Sequence, residues 1–339
     1  MGSVKDLQVL KEPERDNLGL GRFIFSDRYS VFDYGEMPDK INGKGASLCL
    51  ISAYFFERLE KENVANHYVG IVEGDKAKRL EELESPSNIM EVQLVRVIKP
   101  LKVNGYDYSP IKAEKANYLI PLEVIYRNVL PEGSSVFRRL EKGLITPEQL
   151  GLEGMPKPGQ KLDKPIIEAS TKLESEDRYI TWEEAKEISG LSEEEIEELK
   201  SITMSVNEII TKVVSKVGIV NEDGKLEFAF DEKRRLMVVD AIGTPDECRF
   251  SFEGMQISKE VLRHYYRRTD WYRRVEALKG QPDWREKAGT PPRLPEELRM
   301  AVSEMYMACC NEITGIRFFD VDSLKEVVKK LKELMQVSA

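Results

Sequence analysis

The residues that most restrict what this 339-residue chain can fold into lie at 225–249, KLEFAFDEKRRLMVVDAIGTPDECR. Two short runs, 225–230 and 235–240, flank the polar tetrad Asp231-Glu232-Lys233-Arg234, the pattern of a β-hairpin with a four-residue loop. With that loop, Phe230 faces Arg235, Glu227 faces Val238 and Lys225 faces Asp240. Leu226 and Phe228 then share a core face with Met237 and Val239. Lys225, Glu227 and Asp240 meet on the other face, because residues opposite one another in an antiparallel pair point the same way. A loop one residue longer or shorter would break that trio, since a single-residue slip flips every side chain.

A solvated outer face would show the same alternation of charged and apolar positions. A phosphate site would use it differently: two carboxylates hold a hard cation such as Mg2+, and the lysine neutralises charge on a transferred phosphoryl group. Polar groups able to hold a substrate crowd the exit of the second strand, where Thr244-Pro245-Asp246 forms a turn and Arg249 follows.

Composition narrows the function classes. A formal net charge of -9 argues against a nucleic-acid binder that works through a general basic surface, while leaving room for a local anion pocket. Cys49, Cys248, Cys309 and Cys310 form no CxxC pair, which points to a reduced, cytoplasmic setting and away from zinc. Only His67 and His264 are present, each read as a surface or packed histidine, so the chemistry must rest on Asp, Glu, Lys and Arg. The longest apolar run, 46–56, is broken by serines and too short to span a bilayer, so no membrane partner is expected.

Along the chain, 1–21 reads as polar and irregular, with Gly19-Leu20-Gly21 a plain turn or a weak phosphate loop. Residues 22–25 read as a strand. Gly43-Lys44-Gly45 precedes a helix from 46 to about 62, with Leu48, Ile51, Phe55 and Leu59 at helical spacing and an N-terminus able to bind an anion. Strands are expected at 67–72, 91–99 and 119–127 in one mostly antiparallel sheet, with a polar insertion at 104–115. After Arg127, a glycine turn with Ser134 and Ser135 leads into Arg138 and Arg139, donors that suit a phosphomonoester as well as an ordinary polar loop. Helices follow at 182–189 and 193–216, the second a scaffold for the hairpin. Basic and aromatic residues at 263–274 suggest a solvated face or subunit contact, and helices near 296–312 and 323–336 suggest packing or oligomer elements.

Taken together, the motifs resemble one family, the SAICAR synthetases. The likeness spans roughly 22–268 and lies in motifs that come in the family's order. Ser26-Asp27-Arg28-Tyr29-Ser30-Val31-Phe32-Asp33 is similar to its DRxSxFD turn, and Gly43-Lys44-Gly45 to its KG before a helix. Val95-Arg96, then Ile120-Pro121-Leu122-Glu123-Val124-Ile125-Tyr126-Arg127-Asn128 and Gly133-Ser134, match VR…IPLEVVVRN…GS. Residues 165–172 with Asp177 resemble PxxxxSTK…D, and Lys225-Leu226-Glu227-Phe228 with Asp240, Thr244-Pro245-Asp246 and Arg249 match KLEFG and DE…TPD…R.

The resemblance implies an α+β fold, a nucleotide-binding antiparallel sheet domain packed on a second α/β domain, with C-terminal helices outside the likeness. Blocks at 1–128, 129–279 and 280–339 are expected. It also implies an ATP- and Mg2+-dependent ligase of purine biosynthesis that joins carboxyaminoimidazole ribonucleotide to L-aspartate through an acyl phosphate. The implied roles are catalytic for Lys225, Glu227 and Asp240, the two acids also holding the metal. Substrate binding falls to Arg127, Ser134, Arg138, Lys172, Asp177, Asp246 and Arg249, and ATP binding to Arg15, Lys44, Arg96 and Glu123. A cytoplasmic homo-oligomer that binds small molecules and no nucleic acid is expected. Three departures stand out: the family's N-terminal Gly-Lys hairpin is represented only by Arg15-Asp16, the acid after the hairpin aspartate is Ala241, and the loop from Arg127 to Ser134 is one residue longer. A non-catalytic nucleotide-binding homologue, or a phosphotransferase or ligase with another acceptor, would share these motifs.

Overall fold

The computed structural model describes residues 5–103 and 105–337. Residue 104, at the start of the expected polar insertion, lies outside that range. In chain order the first elements are β1 (Lys5–Lys11), β2 (Gly19–Phe25), α1 (Lys44–Lys61), β3 (Tyr68–Glu73), β4 (Lys76–Lys78) and β5 (Ile89–Leu94). Their strands form an antiparallel sheet in the order β1-β2-β5-β3-β4. Next come β6 (Leu101–Lys102), β7 (Tyr106–Asp107), α2 (Ser109–Lys112), β8 (Tyr118–Leu130), α3 (Ser135–Glu141), β9 (Gln160–Thr171), β10 (Tyr179–Ile180), α4 (Trp182–Ser189) and α5 (Glu193–Ser215). They lead into β11 (Ile219–Phe230), β12 (Leu236–Val239), β13 (Cys248–Phe252) and β14 (Met255–Gln256). The second sheet runs β10-β9-β8-β11-β13-β14, with β12 also on β11. Five helices close the chain: α6 (Glu260–Tyr266), α7 (Asp270–Leu278), α8 (Trp284–Ala288), α9 (Glu296–Thr314) and α10 (Leu324–Val337).

The N-terminal segment corrects the sequence reading, since 5–11 is a strand and Gly19-Leu20-Gly21 lies within its partner rather than in a turn. No alternation announced β1, because it is an edge strand that leaves Leu7, Val9 and Leu10 exposed and is held chiefly by its backbone ladder. A Cβ at Gly19 would stand 2.5 Å from the Lys11 carbonyl oxygen, so the closeness of the two strands requires glycine there.

The three expected later strands do not share one sheet. β3 and β5 belong to the first, whereas β8 is a central strand of the second; parallel bridges Arg96–Tyr118 and Asn66–Val238 link the two. A boundary at 128 therefore falls inside β8. One continuous core includes Phe25 and Leu48 from the first part, Tyr126 and Phe228 from the second, and Tyr306 from the C-terminal helices. Leu48, Ile51, Phe55 and Leu59 of α1 are buried as the spacing predicts, and α9 packs on α1 with α10 on α9. The N-terminus of α1 is occupied by the chain itself, for Asp27 Oδ1 accepts the Gly45 amide at 2.9 Å. α5 begins with a capping box at Ser192 and Glu195 and buries Ile196, Leu199, Val206 and Val213. Among the described residues no helix is long and apolar enough to cross a membrane.

Candidate active site

The hairpin forms with a register one residue away from the expected one. Glu227 pairs with Val239, Phe228 with Val238 and Phe230 with Leu236, so the loop has five residues, 231–235. Asp231 sets that length: its carboxylate accepts the amides of Lys233 and Arg235, each at 2.8 Å, and Arg234 takes a left-handed φ of 60°. Leu226 and Phe228 consequently share the core face with Leu236 and Val238. Met237 and Val239 instead join Ala229 in a separate apolar cluster with Leu18, Val95 and Leu119.

By this register Asp240 should point into the core, yet the trio survives. β12 ends at Val239, and Asp240 adopts φ 71°, which turns its carboxylate onto Lys5 of β1. β12 and β13 lie along successive stretches of one edge of β11, and the segment between them, 240–247, crosses at Lys225, whose amide donates to the Glu247 carbonyl at 3.1 Å.

Around the trio lies a network of lysines and carboxylates. Lys172 Nζ is 2.8 Å from Glu123 Oε1 and 2.6 Å from Glu227 Oε1. Lys225 Nζ is 3.0 Å from Glu123, 3.7 Å from Glu227 and 3.4 Å from Glu247. Glu123 and Glu227 are register partners on β8 and β11, so their side chains emerge together. The acids sit deep while both lysines reach partly into solvent, with side-chain exposures of 27% for Lys172 and 33% for Lys225. Burial, then the charge of Asp240, pushes the Glu227 carboxyl up to about 7. Burial acts the same way on Asp240, but Lys5 and Lys225 outweigh it and hold that carboxyl low. Burial opposes the charge of Lys225, yet Glu247 and Glu123 keep its ammonium well above the usual range. Asp177 borders the network, its carboxyl raised by desolvation and then by Glu123.

A second cluster forms on β8 and β9. Arg127, 2% exposed, donates from Nε to Glu168 at 2.7 Å, from Nη1 to Asp223 at 3.1 Å, and from Nη2 to Tyr179 Oη at 2.9 Å and Ser135 Oγ at 3.3 Å. Arg139 reaches Glu168 at 2.5 Å and lies 3.8 Å over the Tyr179 ring. Arg249 Nη1 stands 3.5 Å from Asp223 Oδ2, and Ser134 Oγ caps α3 through the Val136 amide. Beside this corner opens a cavity of about 1520 Å³ whose lining includes Ser135, Arg138, Arg139, Glu168 and Tyr179.

The remaining expected residues lie elsewhere. Arg96 forks onto Glu114 and donates to the Ala116 and Asn117 carbonyls, while Arg15 lines a small cavity of about 230 Å³ with Asp16 and Glu114. Asn117 Nδ2 ties that corner to the β1–β2 loop through the carbonyls of Glu14 and Asn17. Lys44 and Asp246 are sealed against each other at 2.8 Å with side-chain exposures of 0% and 4%, and Asp246 Oδ1 accepts from Tyr306 Oη at 2.8 Å. Burial raises the Asp246 carboxyl, but Lys44 overcomes it and brings it to about 2.

Sequence reasoning missed Lys5, in a segment read as irregular, and Glu247, which only the fold brings beside Lys225. Of the two alternatives for His67, surface or packed, the fold takes the second: burial lowers its pKa to about 4, and Nε2 donates to the Asp240 carbonyl at 3.0 Å.

Two antiparallel sheets with lysines and carboxylates gathered where they meet define an α+β protein with one densely charged site. The chain belongs to the SAICAR synthetase family, whose model matches residues 2–278. An Archaeoglobus fulgidus protein provisionally named phosphoribosylaminoimidazole-succinocarboxamide synthase is 60% identical over 336 residues, 99% of this chain and 100% of that one, so the C-terminal helices extend into that relative. A Thermoplasma acidophilum phosphoribosylaminoimidazole-succinocarboxamide synthase is 32% identical, covering 86% of this chain and 92% of its own. The fold is shared with the Saccharomyces cerevisiae SAICAR synthase solved with SAICAR, at a TM-score of 0.64 and 24% identity over 94% of this chain and 95% of that one.

Proposed function

We propose that the protein joins carboxyaminoimidazole ribonucleotide to L-aspartate with ATP, through an acyl phosphate, giving SAICAR, ADP and phosphate. The observation that carries this reading, beside family membership, is the pair Lys172 and Lys225 held among Glu123, Glu227 and Glu247 at the mouth of a buried acid cluster. A carboxylate oxygen of the ribonucleotide takes the γ-phosphoryl group, ADP leaves, and the aspartate amine then attacks the carbonyl carbon and expels phosphate. Both steps build negative charge on phosphoryl oxygens, which the two ammonium groups are placed to neutralise.

Among the described residues no three Asp, Glu, His or Cys side chains form a ligand set. Two carboxylates nevertheless fit Mg2+, which keeps several waters and shares its shell with nucleotide phosphates. Glu227 and Asp240 would hold it, and when bound it would draw charge from the phosphates. Ala229 of β11, Met237 and Val239 of β12, with Leu18, Val95 and Leu119, form the apolar cluster beside which the base would lie. Arg138, Arg139 and Ser135 at the large cavity suit the ribonucleotide phosphate, with Arg127 buried behind them on Glu168 and Asp223. A cytoplasmic setting agrees with four buried, unpaired cysteines, and a homo-oligomer belongs to the same reading.

The test is ADP release with the ribonucleotide, with and without L-aspartate. Release that needs aspartate supports the ligase. Aspartate-independent release points to another acceptor, and ligand binding without release points to a non-catalytic homologue, favoured by the absent Gly-Lys pair in the β1–β2 loop.

A further inference from the structure

Asp240 is held by the first sheet from two sides. Its carboxylate meets Lys5 of β1, and its carbonyl meets His67, which leads into β3. The segment before β3 docks alongside β12 through two main-chain bonds, Val238 N to the Ala65 carbonyl at 2.9 Å and His67 N to the Val238 carbonyl at 3.2 Å. The ring then extends this strap by one more bond, Nε2 to the Asp240 carbonyl at 3.0 Å. His67 is itself fixed, 3% exposed, with its ring 5.6 Å from that of Phe23 and 5.4 Å from that of Phe56, and with its carbonyl accepting the Gln93 amide at 2.7 Å. A carbonyl only accepts, so the ring proton sits on Nε2 and the tautomer is defined.

The conformation held in this way is the one the site needs. In an extended continuation of β12, Asp240 would pair with Leu226 and point into the core; its left-handed φ of 71° sends the carboxylate toward Lys5 and the Lys225–Glu227 pair instead. Aspartate enters that region more readily than most non-glycine residues, and here the Lys5 and His67 contacts select it.

We propose that His67 is a positioning residue, holding the Asp240 carbonyl so that the Asp240 carboxylate stays turned toward Lys5 and the Lys225–Glu227 pair, where the cation would bind. This rests on the reading of Asp240 as a cation ligand, and the test separates the two. Mn2+ binding in the presence of ADP is measured by electron paramagnetic resonance on wild type, His67→Phe, His67→Gln and Asp240→Asn, with thermal melts alongside. Phenylalanine keeps a ring between Phe23 and Phe56 and loses the donor; glutamine places an amide donor near the position of Nε2. Asp240→Asn and His67→Phe should each weaken Mn2+ by about tenfold or more, the scale for losing a residue that orients a ligand, and His67→Gln should recover most of the loss. Wild-type affinity in His67→Phe beside weak binding in Asp240→Asn overturns the role of His67 alone. Equal weakness in the phenylalanine and glutamine variants reduces His67 to packing, and wild-type affinity in Asp240→Asn overturns the ligand reading itself. Should His67→Phe fail to fold, 15N-histidine NMR of the wild-type protein, which has two histidines, decides: a buried Nε2–H tautomer supports the bond and an Nδ1–H tautomer overturns it.

Discussion

Replacing Lys172 by methionine keeps the aliphatic stem and removes the charge that bridges two buried acids. Its ammonium lies 2.8 Å from Glu123 and 2.6 Å from Glu227, which are 8% and 7% exposed, so the variant leaves Lys225 as the one lysine still in contact with both carboxylates. Breaking a fully buried pair costs about 3–5 kcal/mol. Because the Lys172 side chain is 27% exposed, water recovers part of that, and a loss of about 2–3 kcal/mol is expected. In a chain of this length that corresponds to a melting point lower by about 3–4 °C. Turnover should fall by about 100-fold or more, the scale for removing one preorganised donor from a developing charge. Thermal melts and ADP release are measured for Lys172→Met, Glu227→Gln and the double variant. Glu227→Gln removes one of the stranded acids, so the double variant should regain stability without regaining rate. Unchanged stability and rate in Lys172→Met, or recovery of both together in the double variant, would refute the bridging role.

Arg138, exposed at the large cavity, tests the phosphate corner better than Arg127: Arg138→Ala should cost about 1.5–3 kcal/mol in ribonucleotide affinity with ADP affinity unchanged by calorimetry, and equal losses for both ligands would count against it. Arg127→Ala leaves buried Glu168 with Arg139 alone and buried Asp223 with Arg249 alone and should instead appear in urea titrations as about 3 kcal/mol of lost stability. Asp246 has a folded pKa of about 2, below its unfolded value, so its contribution is present above about pH 4 and is lost as pH falls through 2; Asp246→Asn should flatten that limb of a stability–pH curve, by on the order of 2 kcal/mol. Tyr306→Phe removes the donor through which α9 holds Asp246 and should cost about 1.5–3 kcal/mol in denaturant melts, whereas a wild-type curve would show the bond to be dispensable.

The hairpin strands, the α1 core face and the acid–lysine character of the site are legible in local pattern, because apolar periodicity and turn residues act over a few positions. The hairpin register is not, for it depends on the Asp231 carboxylate gathering two amides, which adds a residue to the loop. Nor is the survival of Asp240 at the site, which needs a backbone turn imposed by residues far away in sequence, His67 and Lys5. β1 left little signal because an edge strand with exposed apolar residues lacks a buried face. Lys44 and Asp246 each carry a family motif, yet the core places them on one another and on Tyr306, a pairing that no local pattern encodes.

The central claim is phosphoryl transfer to the ribonucleotide carboxylate, and oxygen tracing tests it most directly. Carboxyaminoimidazole ribonucleotide labelled with 18O in its carboxylate is turned over with ATP and L-aspartate, and the released phosphate is analysed by mass spectrometry. An acyl phosphate leaves one carboxylate oxygen on the phosphate when the amine displaces it, so each phosphate should carry one 18O. Phosphate free of label, formed alongside ADP, would mean that the phosphoryl group never resided on the carboxylate and would contradict the account.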